Sequence, residues 1–172
     1  MKREEFVKTY FQAAQLATKD TGIFPEVAIT QAILESGNGN SLLASQYNNF
    51  FGIKASNSWQ GETVYLPTAE YVQGHYITTG GRFRVYSSPF ASFKDHVKFL
   101  QTNPRYTAAG VFKATTPAEQ FKAIHAAGYA TDPAYTEKLI SVLDGIKKYL
   151  PGIADSGSAL LILLIAGYLI LK

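Results

Sequence analysis

The sequence predicts an α+β fold, mostly α, in which a small β-hairpin interrupts a helical domain and an apolar helix follows at the C-terminus. Three observations predict it. Apolar residues recur at helical spacing on both sides of one stretch, Trp59 to Tyr86, where β-formers and a period of two take over. Apolar residues make up 47% and aromatics 13% of the 172 residues, enough for one domain with a substantial core and too much for a disordered chain. Beyond Tyr149 the composition changes abruptly, first to a Pro/Gly/Ser-containing connection and then to an unbroken apolar run. The expected organisation is a domain over residues 1–150, a linker over 151–158 and a hydrophobic segment over 159–172.

Each element has its local reason. Phe6, Val7, Tyr10, Phe11, Ala14 and Ala17 form the buried stripe of a first helix that Thr21-Gly22 ends. Pro25 suits the first turn of a second helix, whose apolar positions include Val27, Ala28, Ala32 and Ile33. Gly37 and Gly39 stop it directly after Glu35. The expected result is a carboxyl on a rigid support, desolvated by apolar neighbours and beside a glycine surface that a ligand approaches closely. Ser41 to Tyr47 reads as a short helix before an Asn48-Asn49 turn. Thr63, Tyr65, Tyr71, Val72, Tyr76, Ile77, Phe83 and Val85 belong to the hairpin, with Gln73-Gly74 as its turn. Helical spacing returns after Pro89 with Phe90, Phe93, Val97 and Leu100. Thr116-Pro117-Ala118-Glu119 is a capping-box pattern opening a helix that ends at Gly128. Asp132-Pro133 opens the last one, with Leu139, Val142, Leu143 and Ile146 facing inward.

Composition excludes some chemistry. With no cysteine there is neither a disulfide framework nor a thiolate metal site. The histidines, His75, His96 and His125, lack ligand spacing and read as surface or helix-face residues. No metal, no other cofactor and no nucleic-acid partner is expected. The formal charge of +3 is mildly basic.

Five motifs follow one another in order: Ala32-Ile-Leu-Glu-Ser-Gly-Asn-Gly, Asn48-Asn49-Phe50-Phe51-Gly52-Ile53-Lys54, Glu70-Tyr71, Asn103-Pro104-Arg105-Tyr106 and Gly128-Tyr129-Ala130-Thr131-Asp132-Pro133-Ala134-Tyr135. Arg82-Phe83-Arg84-Val85-Tyr86 stands among them. Over Arg3 to Tyr149 this set resembles the glucosaminidase family of peptidoglycan hydrolases, which includes the hydrolase domain of the flagellar rod protein, autolysins and phage lysins. The resemblance implies a lysozyme-like two-lobed fold with a cleft, and cleavage of β-1,4 glycosidic bonds in bacterial peptidoglycan.

It also implies roles. Glu35 matches the catalytic glutamate and is expected to be the general acid. Glu70 matches the glutamate of the β-lobe and is the candidate second carboxylate, with Glu62 a nearby rival. The acetamido group of the substrate is an alternative source of the nucleophile. Tyr129 and Tyr135 match aromatic positions of the site, Tyr129 near the scissile bond and Tyr135 as a sugar-binding ring. Asn48, Asn49 and Phe51 are expected in the cleft floor. Arg82 and Arg84 share one strand face, with a solvated face the default and contact to wall carboxylates the alternative. Other readings are a lytic transglycosylase or muramidase on a related fold, or a non-catalytic wall-binding component.

The tail is not part of the resemblance. Ala159 to Leu171 is apolar throughout and closed by Lys172. As a helix it reaches about 20 Å against a hydrocarbon core of about 30 Å. Counted from Ile153, the segment is long enough to span. A helix apolar all round suits lipid, so a membrane anchor is expected. The charged N-terminus carries no signal region. A tail-anchored wall enzyme of this kind is expected to be membrane-associated, as a phage or virion lytic enzyme placed at a virion membrane or host envelope.

Overall fold

The computed structural model describes residues 1–72 and 75–151, and for 68–72 and 75–79 the backbone alone. Seven α-helices are present among these residues: α1 (Arg3–Thr18), α2 (Pro25–Ser36), α3 (Leu42–Tyr47), α4 (Pro89–Thr102), α5 (Pro104–Ala108), α6 (Pro117–Ala126) and α7 (Tyr135–Ile146). Two strands, β1 (Thr63–Val72) and β2 (His75–Arg84), pair antiparallel from Thr63 opposite Arg84 to Val72 opposite His75. The architecture is a helical lobe with a hairpin lobe inserted between α3 and α4. The Gln73-Gly74 turn and the tail over 152–172 lie outside the described residues.

Helix α2 is the centre of the helical lobe. Val27, Ala28, Ile29, Thr30, Gln31, Ala32 and Ile33 are all buried, so the helix is enclosed on nearly every side. It is packed by α1, α6 and α7. Phe24 occupies the N-cap position, and Pro25 begins the helix, where its missing N–H costs nothing. Gly37 closes it in the left-handed region at φ 59°, donating its N–H to the Ile33 carbonyl. Phe6, Tyr10, Phe50, Phe51 and Phe93 form a chain of ring contacts that joins α1, α4 and the loop after α3.

Boundaries differ from expectation where a cap was misread. Asp132 does not open α7. Its carboxylate accepts from the Ala134 N–H, and its carbonyl accepts from the Tyr135 N–H, so the helix starts three residues later. The box at α6 is also displaced. Thr116 Oγ1 accepts from the Glu119 N–H, but Glu119 reaches back to the Thr115 N–H and hydroxyl. Pro104–Ala108, quoted only as a motif above, is a short helix that buries Tyr106. Phe90, counted in the apolar spacing of α4, is exposed.

The hairpin is rooted by main-chain bonds: Ala55 N–H to Arg82 carbonyl, 2.8 Å, and Arg84 N–H to Ile53 carbonyl, 3.1 Å. Asn49 completes the joint. Its Nδ2 donates to the carbonyls of Ile53 and Arg84 at 3.0 and 2.9 Å, and its Oδ1 accepts from the Ile53 N–H at 3.0 Å. Buried polar groups that lose such partners are costly to leave unmade. Asn49→Ala is therefore expected to destabilise the fold by about 2–4 kcal/mol, a fall of several degrees in Tm, measurable by calorimetry.

Candidate active site

A cleft of about 570 Å³ lies in the helical lobe beside the root of the hairpin, lined by Leu34, Glu35, Phe51 to Lys54, Phe99, Arg105, Tyr106, Tyr129, Ala130, Asp132, Tyr135 and Lys138. Glu35, in the last turn of α2, projects into it. The side chain is accessible along the open groove. The carboxyl is nonetheless walled by protein, and this desolvation raises its pKa above the ordinary glutamate value; a hydrogen bond from Tyr135 opposes the rise.

That hydrogen bond has a supporting partner. Tyr135 Oη donates to Glu35 Oε1 at 2.7 Å, and the fully buried Gln31 donates from Nε2 to the same Tyr135 oxygen at 3.0 Å. An amide N–H on the phenol oxygen leaves the hydroxyl proton directed at the carboxylate. Gln31 and Glu35 are four residues apart, on one face of α2. Sequence reasoning missed Gln31, which reads there as one more residue of a buried helix; a polar side chain on an otherwise apolar stretch one turn before the carboxylate was the available signal.

The expected site residues separate into two groups. Glu35, Phe51, Tyr129 and Tyr135 line the cleft together. Tyr129 stacks on Tyr135 with ring centroids 5.8 Å apart, and burial holds its pKa well above that of a free phenol. Tyr135 itself is almost wholly buried, so its hydroxyl works on Glu35 while its ring packs in the wall rather than lying open for a sugar. Asn48 and Asn49 are corrected: neither lines the cleft. Asn48 caps α3 at φ 52° and donates to the Tyr86 carbonyl, while Asn49 is spent on the hairpin joint. Glu70 lies on β1 opposite Ile77, and its side chain is outside the described residues. Glu62 is exposed in the loop before β1.

Gly37 and Gly39 do not line the cleft. Gly37 meets a conformational need, with open space where a Cβ would stand; Gly39, at φ 77°, lets the backbone settle on Phe6, whose ring a Cβ would approach to 3.1 Å. The glycine in the cleft wall is Gly52. Nor is His96 a surface residue. It is fully buried, stacked on Phe51 at 3.9 Å, and desolvation pushes its pKa down to about 3, so it stays neutral.

Solved glycoside hydrolase domains share this fold. The chain superposes on the truncated glycoside hydrolase domain of Salmonella typhimurium FlgJ with a TM-score of 0.71 and 36% identity, covering 85% of this chain and 98% of that one. The catalytic domain of the Listeria monocytogenes autolysin Auto gives 0.75 and 28%, covering 86% and 87%. Residues 11–148 match the glucosaminidase family, described as mannosyl-glycoprotein endo-beta-N-acetylglucosaminidase. The peptidoglycan hydrolase FlgJ of Vibrio parahaemolyticus is 38% identical over 148 residues, 84% of this chain and 47% of that protein. The exo-glucosaminidase LytG of Bacillus subtilis is 32% identical over 145 residues, 83% of this chain and 51% of that protein. The class is thus that of glycoside hydrolase domains. The chain belongs to the glucosaminidase family, and it spans about half the length of these two relatives.

Removing the Tyr135 hydroxyl deletes the contact that lowers the Glu35 pKa and leaves the desolvation that raises it. In Tyr135→Phe the Glu35 carboxyl is expected to titrate at higher pH than in the wild type, as followed by carbon-detected NMR of labelled glutamate.

Proposed function

We propose that this chain hydrolyses the β-1,4 bonds of bacterial peptidoglycan as an endo-β-N-acetylglucosaminidase, with Glu35 as general acid. The observation that carries the reading is a partly desolvated carboxyl whose Oε1 is held by the Tyr135 hydroxyl inside an aromatic-lined cleft. With Oε1 engaged, Oε2 is the oxygen free to carry the proton and deliver it to the departing glycosidic oxygen. Water then adds at the anomeric carbon, and the proton it releases restores the acid form of Glu35. A raised pKa keeps the acid protonated closer to neutral pH, as this step requires. Family membership and relatives named as peptidoglycan hydrolases support the substrate class.

Glu70 is the proposed second carboxylate, stabilising the cationic anomeric carbon from the hairpin lobe, with the substrate acetamido group sharing that task. Tyr129 completes the proposed machinery beside Glu35. Glu35→Gln is expected to lose at least about 100-fold in reducing-end release from purified peptidoglycan while remaining folded. Glu70→Gln is expected to lose less. Mass spectrometry of the fragments tests the bond: reducing N-acetylglucosamine ends support the proposal, whereas reducing muramic ends identify a muramidase and anhydro-muramic ends a lytic transglycosylase. A folded wild type that binds the polymer and releases nothing identifies a wall-binding protein.

For the tail, the proposed role is attachment to a lipid bilayer, supported by the apolar run Ala159 to Leu171 and its closing lysine. No helix among the described residues is long and apolar enough to cross a membrane. The finer reading is a lytic enzyme of a phage or a membrane-containing virion, supported by the pairing of a wall-hydrolase domain with an apolar segment. Deleting residues 156–172 is expected to leave wall cleavage and Tm unchanged and to abolish co-sedimentation with liposomes. A lowered Tm, with a full-length chain that ignores liposomes, would show that the tail belongs to the fold.

A further inference from the structure

A second pocket, of about 420 Å³, adjoins the Glu35 cleft and shares Phe99 with it. Its walls are the loop before β1, the end of β2 and the second half of α4. Trp59 forms one wall and is fixed from several sides. The indole N–H donates to the Glu62 carbonyl at 3.0 Å, the ring meets Tyr86 edge-on at 5.9 Å, and the Arg84 guanidinium lies over it at 4.4 Å. Gly61 is bound to this arrangement, since a Cβ there would stand 2.5 Å from a ring carbon of Trp59. The indole nevertheless remains partly exposed.

The charges of the pocket do not balance. Arg84, expected on a solvated strand face, is mostly buried and paired with Asp95 at 2.6 Å, and Tyr86 Oη donates to the same Asp95 oxygen at 2.6 Å. That pair cancels itself. Lys98, one turn along α4 from Asp95, is exposed and takes part in none of the ion pairs among the described residues. The pocket therefore presents one uncompensated ammonium beside a rigid indole. A neutral sugar offers that ammonium no counter-charge, whereas a carboxylate beside apolar or amide groups fits both features.

We propose that this pocket binds the acidic peptide stem of the polymer whose glycan occupies the Glu35 cleft, with Lys98 holding a stem carboxylate and Trp59 supporting the peptide. The proposal rests on the peptidoglycan reading above and extends it from the sugars to their substituents. The shared Phe99 supplies the continuity: one covalent ligand reaches both spaces. Recognition of the stem makes the enzyme selective for intact wall over bare glycan.

The test compares the full chain with Lys98→Met, which keeps an unbranched side chain of nearly the same length and removes its charge. Two substrates are used, purified peptidoglycan and the same glycan stripped of its stems by an amidase. Lys98→Met is expected to lose about tenfold in kcat/KM on intact peptidoglycan, the scale of one charge-assisted contact, and nothing on stripped glycan. Equal losses on both substrates, or none on either, overturn the proposal. Calorimetric titration with free stem peptide keeps it separate from the hydrolase reading. A wild type that cleaves neither substrate but binds the peptide through Lys98 refutes hydrolysis and retains the pocket. A wild type that binds no peptide and shows no preference for intact wall refutes the pocket alone.

Discussion

Helix α2 is enclosed by α1, α6 and α7, and this enclosure decides where Glu35 stands. A helix surrounded by core cannot tilt or slide without opening voids, because interiors are close-packed and lose contacts outright when they part. Glu35 inherits that rigidity from its place in the last turn. The same packing brings Tyr135, the first residue of α7, over α2, so one helix–helix contact both completes the core and supplies the hydrogen bond to the carboxylate. The Tyr129–Tyr135 stack and the Phe51–His96 stack extend the aromatic wall away from it.

The hairpin lobe relates to this core differently. It is joined to the helical lobe through backbone bonds at its root, through Asn49 and through the Arg84–Asp95 pair. The pair is partly shielded from solvent, and its geometry is secured further by Tyr86 and Trp59. Removing one partner of such a group strands the other, so these residues act as a unit in which single losses exceed the worth of the intact pair. Asn49 belongs to the same joint by other means, replacing strand pairing where the loop after α3 meets the end of β2.

Local pattern made much of this legible. Period-3.6 apolar spacing located α1, α2, α4 and α7 to within a few residues, a capping pattern located α6, and β-formers located the hairpin. The position of Glu35 was legible because an acid at the end of an apolar helix, followed by glycine, is a local feature. Asn48 and Asn49 were misread because an amide bonded to backbone carbonyls and an amide facing a ligand look alike in a sequence; only the distant Tyr86, Ile53 and Arg84 carbonyls decide between them. Gln31 and the Trp59–Arg84–Asp95 cluster were hidden for the same reason. Their meaning lies in partners far along the chain, and Gln31 meets Tyr135 across 104 residues.

The left-handed cap at Gly37 has one more effect. The peptide dipoles of a helix sum to a partial negative charge at its C-terminal end, and the last turn of α2 places the Glu35 carboxyl beside that pole. An anion there sits in an unfavourable potential, which a neutral acid feels far less. The main chain of α2 therefore biases Glu35 towards holding its proton, in the same direction as burial and without any titrating neighbour. Set at the opposite end of the same helix, an identical side chain would be drawn towards ionisation. Chain polarity, and not side-chain chemistry alone, suits this glutamate to the acid role proposed for it.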